Sequence, residues 1–437
     1  MPKIKRTNSA FERTPLSAPF GFKGGYITEL WQTIALMESA RGKQGLGLGT
    51  QSVLWSDAVV FTGNSEEDGN KLMYRMTEFA LAEAAKTSFE TPLDLLDQLL
   101  PATYEYGKKI TGRNDLRLTF ALNSLVAVDN AAWQLYCHEK NITNFDEMIP
   151  AEFRPAFTHK HRELASIPLM SYGVPLDKIV EAVDQGYFFL KIKIGADPDK
   201  DGNLDKMLEW DKQRLASIHA AVKDREIPHT ANGHIPYYLD ANGRYDSRER
   251  LMQLLDYADK IGALERIMII EEPFPEECKI DVRDIPARLA ADESAHSEKD
   301  ALERIDLGYG AIALKPIAKT MSMSLRIAKA AHAKGIPCFC ADLTVNPILV
   351  DWNKNVAARL APMPGMKIGV LESNGHQNYR DWEQMMQHHP SCGAAWTHAI
   401  NGIFRLDDDF YTQSGGIFET SPHYLQSVTP DQGQTIK

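Results

Sequence analysis

The run FFLKIKIG, residues 188–195, is aromatic and β-branched as a buried strand should be, yet it carries Lys191 and Lys193. Two positions apart in a strand, these lysines share one face. If that face were apolar core, two like charges would be desolvated together at a cost of several kcal/mol. A solvated edge strand would avoid the cost. Later apolar runs favour another answer, because each delivers charge at its C-terminal end. YYLDANG delivers Asp240, with Asn242 in the turn that follows; IMIIEEP delivers Glu271 and Glu272; RLAADES delivers Asp292 and Glu293; AIALKP delivers Lys315; KIGVLES delivers Glu372. A strand end in water explains any one of these; it does not explain the whole series.

Residue type sets the chemistry. Asp240, Glu271 and Asp292 supply hard oxygen donors without His or Cys, a set that selects Mg2+, or Mn2+, and leaves positions for water and substrate oxygens. A lysine near such a cation and other ammonium groups loses stability in its charged form, so it can act as a base. Lys191 and Lys193 precede the carboxylates and Lys315 follows them. A metal between lysine bases suits removal of the proton α to a carboxylate, where the cation offsets the second negative charge of the enediolate.

Such side chains need a frame that brings strand ends together. From about Ser166, short apolar runs alternate with helical sequence: IPLMSY, FFLKIKIG, YYLDANG, IMIIEEP, RLAADES, AIALKP, IPCFCAD and KIGVLES. In DSRERLMQLLDYADKIG, Leu251, Leu254, Leu255, Ala258 and Ile261 fall on one helix face, Ser247 or Asp246 can cap the start, and Gly262 closes the end. The pattern predicts an α/β fold, a (β/α)8 TIM-like barrel, which exposes its active site at the C-terminal ends of its strands. No G-x-G-x-x-G turn follows any run, which disfavours a doubly wound nucleotide-binding sheet. The first third reads as α+β. ITELWQTIALMES and ARGKQGLGLGTQSVLW suggest two strands about a polar turn; EEDGNKLMYRMTEFALAEAAKT and RNDLRLTFALNSLVAVDNAAWQLYCHEK suggest helices. We therefore expect a capping domain at 1–150, the barrel at 151–390, and a tail at 391–437 that packs back on the cap. The stretch around 224–237, in REIPHTANGHIPYY, reads as an insertion near the barrel mouth.

Bulk properties narrow the partners. The chain has 437 residues, 43% hydrophobic and 24% charged, ordinary for a globular protein, and a net charge of −11 that disfavours nucleic acid and anionic membranes. No apolar run approaches the roughly 18 to 20 residues that span a bilayer, and the N-terminus lacks a secretion signal, so a cytoplasmic protein is expected. Five scattered cysteines do not suggest a disulfide framework. Cys338 and Cys340 read as small core residues on one strand.

As a set, LKIKIG, LDANG, IEEP, ADES and ALKP resemble the enolase superfamily, specifically its muconate lactonizing enzyme subgroup, in the family's order. ALMESARGKQGLGLG resembles the family's N-terminal strand–turn–strand more weakly. The resemblance implies that Asp240, Glu271 and Asp292 bind Mg2+. It implies that Lys193 and Lys315 are acid/bases on opposite faces of a small carboxylate substrate, with Lys191 assisting electrostatically. Glu272 and Glu293 are then supporting residues behind the ligands, and Glu372 and Asn242 candidates for the same shell or for substrate. The family's capping loops select substrate; here Phe20, Phe22, Tyr26 and Trp55 could close an apolar lid. His296 and His376 stand near the mouth by sequence, as loop histidines or substrate contacts. The resemblance also implies a homo-oligomer. A mandelate racemase-type His is absent after IPCFCAD, and Leu371, Glu372 and Ser373 stand where dipeptide epimerases carry Asp-x-Asp.

The same lysines could racemise or epimerise, or eliminate or cycloisomerise. The sequence also allows two other readings: a Schiff-base lyase using Lys315, and a barrel that binds a ligand without catalysis.

Overall fold

The computed structural model describes residues 3–22 and 25–429. Lys23 and Gly24 of the expected lid loop, and residues 430–437 of the expected tail, lie outside the described residues.

Three antiparallel strands open the chain: β1 (Ile4–Phe22), β2 (Gly25–Ser39) and β3 (Gln44–Gln51), in that order across the sheet. The sequence announces β2 and β3 but not β1, whose residues are mostly exposed or half-buried and whose pairing shifts register between Pro15 and Phe20. Helices Glu66–Ala84, Pro92–Thr111 and Leu118–Lys140 complete this layer. The middle one was not anticipated, although Thr91 and Asp94 form a capping box and Pro92 occupies the first turn. Helix Leu118–Lys140 lies tight against β3. A Cβ on Gly47 would stand 2.0 Å from the Ala127 carbonyl oxygen, and one on Gly45 would stand 2.1 Å from that of Ala131. Glycine alternation in QGLGLGT therefore marks backbone contact with a small-residue helix face.

Ten strands follow: β4 (Glu163–Ile167), β5 (Leu169–Met170), β6 (Leu190–Lys193), β7 (Tyr237–Asp240), β8 (Ile267–Glu271), β9 (Leu289–Ala291), β10 (Ala311–Leu314), β11 (Cys338–Cys340), β12 (Gly369–Glu372) and β13 (Ile403–Arg405). Their order is β13-β4-β12-β11-β10-β9-β8-β7-β6-β5. β4 and β5 are one strand interrupted at Pro168, which has no N–H to give the ladder. Below the interruption β4 pairs in parallel with β12, and above it β5 pairs in parallel with β6. The ring of eight parallel strands is thereby closed, as a (β/α)8 barrel. The anticipated cap at Ser247 forms, accepting from the Arg250 amide, and Ser297 likewise accepts from that of Asp300. Gly262, at φ 75°, ends the first of these helices.

Two placements differ from expectation. The segment around 224–237 precedes β7, so it sits at the N-terminal end of the barrel, opposite the mouth. There Lys367 N donates to His229 O at 2.9 Å and Ala231 N to Gly365 O at 2.9 Å. The length that looked like a mouth insertion is split between this loop and a shorter one, residues 194–203, that does follow β6 at the mouth. The tail also does more than cover the cap. β13 pairs antiparallel with β4, while further on Ser427 Oγ donates to Glu12 of β1 at 3.0 Å. All five cysteines are free, with Cys338 and Cys340 buried on β11. Among the described residues, no helix is long and apolar enough to cross a membrane.

Candidate functional site

The eight strand ends bring the sequence-selected charges into one buried cluster. β6 lies between β5 and β7, so the solvated edge is not the explanation for its lysines. Lys191 and Lys193 are 3% and 6% exposed. Lys191 Nζ stands 3.0 Å from Asp240 Oδ2, 3.2 Å from Glu271 Oε2 and 2.9 Å from Glu372 Oε2. Lys193 Nζ is 2.6 Å from Asp240 Oδ2 and also donates to Asn242 Oδ1. Across the ring, Lys315 Nζ donates to Asp292 Oδ2. With strand β4/β5 counted as the first, Lys193 ends the second and Lys315 the sixth, so they enter from opposite walls.

Electrostatics follows this pairing. Burial disfavours the Lys191 ammonium, but Asp240, Glu271 and Glu372 outweigh it and hold its pKa well above the ordinary value. Burial likewise opposes the Lys315 ammonium, and Asp292 with Glu271 raises it nonetheless. In the protein alone the carboxylates thus favour the charged form of both lysines; the fall expected beside a metal concerns the site with its ion bound. Burial would raise Asp240, yet Lys191 and Lys193 bring it down to about 2. Glu271 is pushed up to about 8, first by burial and then by the nearby Asp292 charge.

For a cation the donor set is oxygen-only. Ligand oxygens of Glu271, Asp292 and Glu293 lie within 4.8 Å of one another, and all three residues are buried. Glu293, expected behind the ligands, is thus gathered with two of them, while Asp240 is engaged by lysines. Such crowding of buried carboxylates suits a hard divalent ion. Glu272 points away and binds its neighbours: its Oε2 accepts from Asp292 N at 2.8 Å and Ser294 N at 3.2 Å. Burial and then Glu293 push its carboxyl up to about 7. Asn242 ties the two sides together, accepting from Lys193 and donating to Glu293 at 3.0 Å.

The cluster opens into a tight chamber of about 40 Å³ free space, floored by Lys191, Lys193, Asp240 and Lys315. The N-terminal layer roofs it with Phe20, Phe22, Ile27, Ser52 and Trp55. The Trp55 ring centroid lies 4.7 Å from Lys315 Nζ. Tyr26 does not join this roof. It is 58% exposed and faces Lys200 instead. His296 is tucked between Glu276, at 3.2 Å, and Asp300, at 3.6 Å, and does not line the chamber. His376 stands in a separate cavity, 3.4 Å from the Tyr187 hydroxyl.

Sequence reasoning missed several participants. Lys319 is fully buried and 3.0 Å from Asp292 Oδ1; its signal was the i, i+4 spacing from Lys315 in KPIAK. Asp342 ends β11 by the same rule that singled out its neighbours, and it lines the chamber with Thr344 and Asn374. Burial, reinforced by Glu372, pushes its carboxyl up to about 7.

The enolase C-terminal domain-like family matches residues 176–387. No curated protein matches the chain in sequence. Among solved structures, a mandelate racemase/muconate lactonizing protein from Herpetosiphon aurantiacus is 17% identical with a TM-score of 0.65, covering 93% of this chain and 97% of its own. A dipeptide epimerase from Enterococcus faecalis V583, complexed with Mg and the dipeptide L-Leu-L-Tyr, is 18% identical with a TM-score of 0.62, over 93% of this chain and 97% of its own. An N-succinyl Arg/Lys racemase from Bacillus cereus ATCC 14579 is 16% identical with a TM-score of 0.63, over 93% of each chain. Likeness at these identities establishes a shared fold.

Proposed function

Residues 176–387 belong to the enolase C-terminal domain-like family, and from that premise we propose that this protein is a Mg2+-dependent enzyme that removes the proton α to a carboxylate. The observation that carries the reading is the pair of buried lysines, Lys193 and Lys315, on opposite walls of one chamber. Asp240, Glu271 and Asp292 would hold the ion, with Glu293 gathered beside them. When bound, Mg2+ supplies the positive charge that offsets the second negative charge developing on the substrate carboxylate.

The protein's own groups do the rest. Lys193 Nζ takes or returns the α-proton on one face and Lys315 Nζ does so on the other, which permits inversion at carbon. Lys191, fixed among three carboxylates, keeps a positive charge beside the substrate. Asn242 orients Lys193, and the Trp55 ring covers Lys315. Phe20 and Phe22 exclude water, which strengthens each charge interaction inside. Racemisation or epimerisation is the reaction this symmetry suits best; the substrate is a small carboxylic acid. A reducing compartment such as the cytoplasm suits the free cysteines.

The test is deuterium incorporation at the α-carbon of a carboxylate library in D2O with Mg2+. The wild type should exchange at least one member, and Lys193→Ala and Lys315→Ala should each lower that rate by at least about 100-fold. Undiminished exchange in both single variants would overturn the reading.

A further inference from the structure

The chamber's cations answer its carboxylates unevenly. Lys191 and Lys193 meet Asp240, Lys191 also meets Glu271 and Glu372, and Lys315 and Lys319 meet Asp292. Asp342, at the end of β11, has no ion pair with any described residue. It is 5% exposed and lines the chamber. Its Oδ2 accepts from the Asn374 amide at 2.8 Å and the Leu343 and Val345 amides lie against the same carboxyl, while Oδ1 makes no hydrogen bond of good geometry to a described residue. A buried carboxylate oxygen left this way is costly unless a ligand completes it.

The surrounding turn holds that oxygen in place. Asp342 N donates to Glu372 Oε2 at 3.0 Å, and Thr344 Oγ1 donates to Asn374 Oδ1 at 2.7 Å. Thr344 sits at φ 55°, a conformation a β-branched residue adopts only when its surroundings impose it. The imposition is visible: the Tyr379 hydroxyl donates to Thr344 O at 2.6 Å and accepts from Gln32 of β2 at 2.8 Å. Strain maintained beside a chamber wall is preorganisation for a ligand.

We propose that Asp342 recognises a protonated amine carried by the substrate, away from the carboxylate that meets the lysines. The proposal rests on the proton-abstraction reading above and adds the substrate class, an amino-bearing carboxylic acid. A hydroxyl could fill the hydrogen bond; with burial and Glu372 working against ionisation of this carboxyl, only a cation both completes Oδ1 and holds the group charged. Leu169 and Leu343 line the same chamber and give the substrate's carbon skeleton an apolar surface.

The experiment uses matched pairs: α-amino acids, dipeptides and ω-amino acids, each beside its N-acetylated form, with α-deuteration followed in D2O and Mg2+. The wild type should exchange at least one free amine about 100-fold faster than its acetylated partner. Asp342→Asn, nearly isosteric and still an acceptor for the Asn374 amide, should shrink that gap to within about 10-fold by slowing the free amine; Asp342→Ser is the second variant. Equal or faster exchange of acetylated forms by the wild type would overturn the amine assignment and leave proton abstraction standing. An unchanged gap in the variants would remove Asp342 from the role. Absence of exchange from every pair would overturn the proton-abstraction reading and this one with it.

Discussion

Asp292 carries two lysines at once. Lys315 meets one carboxylate oxygen and Lys319, fully buried, meets the other at 3.0 Å. Together they hold the carboxylate ionised against the pull of burial. Removing one partner of a buried pair leaves an uncompensated charge, so Lys319→Met should cost about 3 kcal/mol of stability, read from urea denaturation without added metal. The individual side chains also show where sequence informs and where it does not. Asp240, Glu271, Asp292, Lys191, Lys193 and Lys315 were visible because each ends an apolar run, and strand direction alone then gathers them. Lys319 lies one turn into a helical segment, where a lysine ordinarily faces water, and its i, i+4 spacing from Lys315 is too common a pattern to mark it alone. Tyr26 was misjudged for a related reason: neighbours in a strand point to opposite faces, and a shift of one position from Ile27 puts its ring outside.

Between elements, contacts depend on partners distant in sequence. Asp211, on helix Leu204–Val222, accepts the Gly195 amide at 2.8 Å and the Tyr245 hydroxyl at 2.7 Å, fastening that helix to the ends of β6 and β7. Burial pushes its carboxyl from 3.8 up to about 7. The folded protein thus keeps a proton that the unfolded chain has released. This group's contribution is complete below its ordinary pKa and is lost as pH rises through about 7. The thermal midpoint should accordingly fall between about pH 5 and pH 8 in the wild type, and fall less in Asp211→Asn, by calorimetry at fixed ionic strength. At this scale the barrel strands were legible because their composition and period are local properties. Strand β1 was not, since an edge strand with polar and proline positions has no alternation to read.

The whole molecule divides its labour between two layers. The barrel supplies charge and the N-terminal layer supplies the apolar roof, so the chamber is complete only when both are in place. A ligand that binds only the folded state at a hundredfold excess over its Kd adds about 2.7 kcal/mol. Adding Mg2+ to chelator-treated protein should therefore raise the thermal midpoint measurably, and Asp292→Asn should abolish most of that rise, by differential scanning fluorimetry. The misplacement of the 224–237 loop belongs to this scale too: length between motifs reveals extra residues, but the end of the barrel that receives them depends on where the intervening helix stops.

Strand β13 gives the molecule one more property. Below Pro168 the first barrel strand is flanked by β12 on one side and β13 on the other, so residues 403–405 are part of the wall that residues 163–167 begin. A ribosome makes the first of these segments some 240 residues before the last. Until then the strand's outer edge lacks the partner that residues 403–405 provide, so this part of the wall is sealed only late in synthesis.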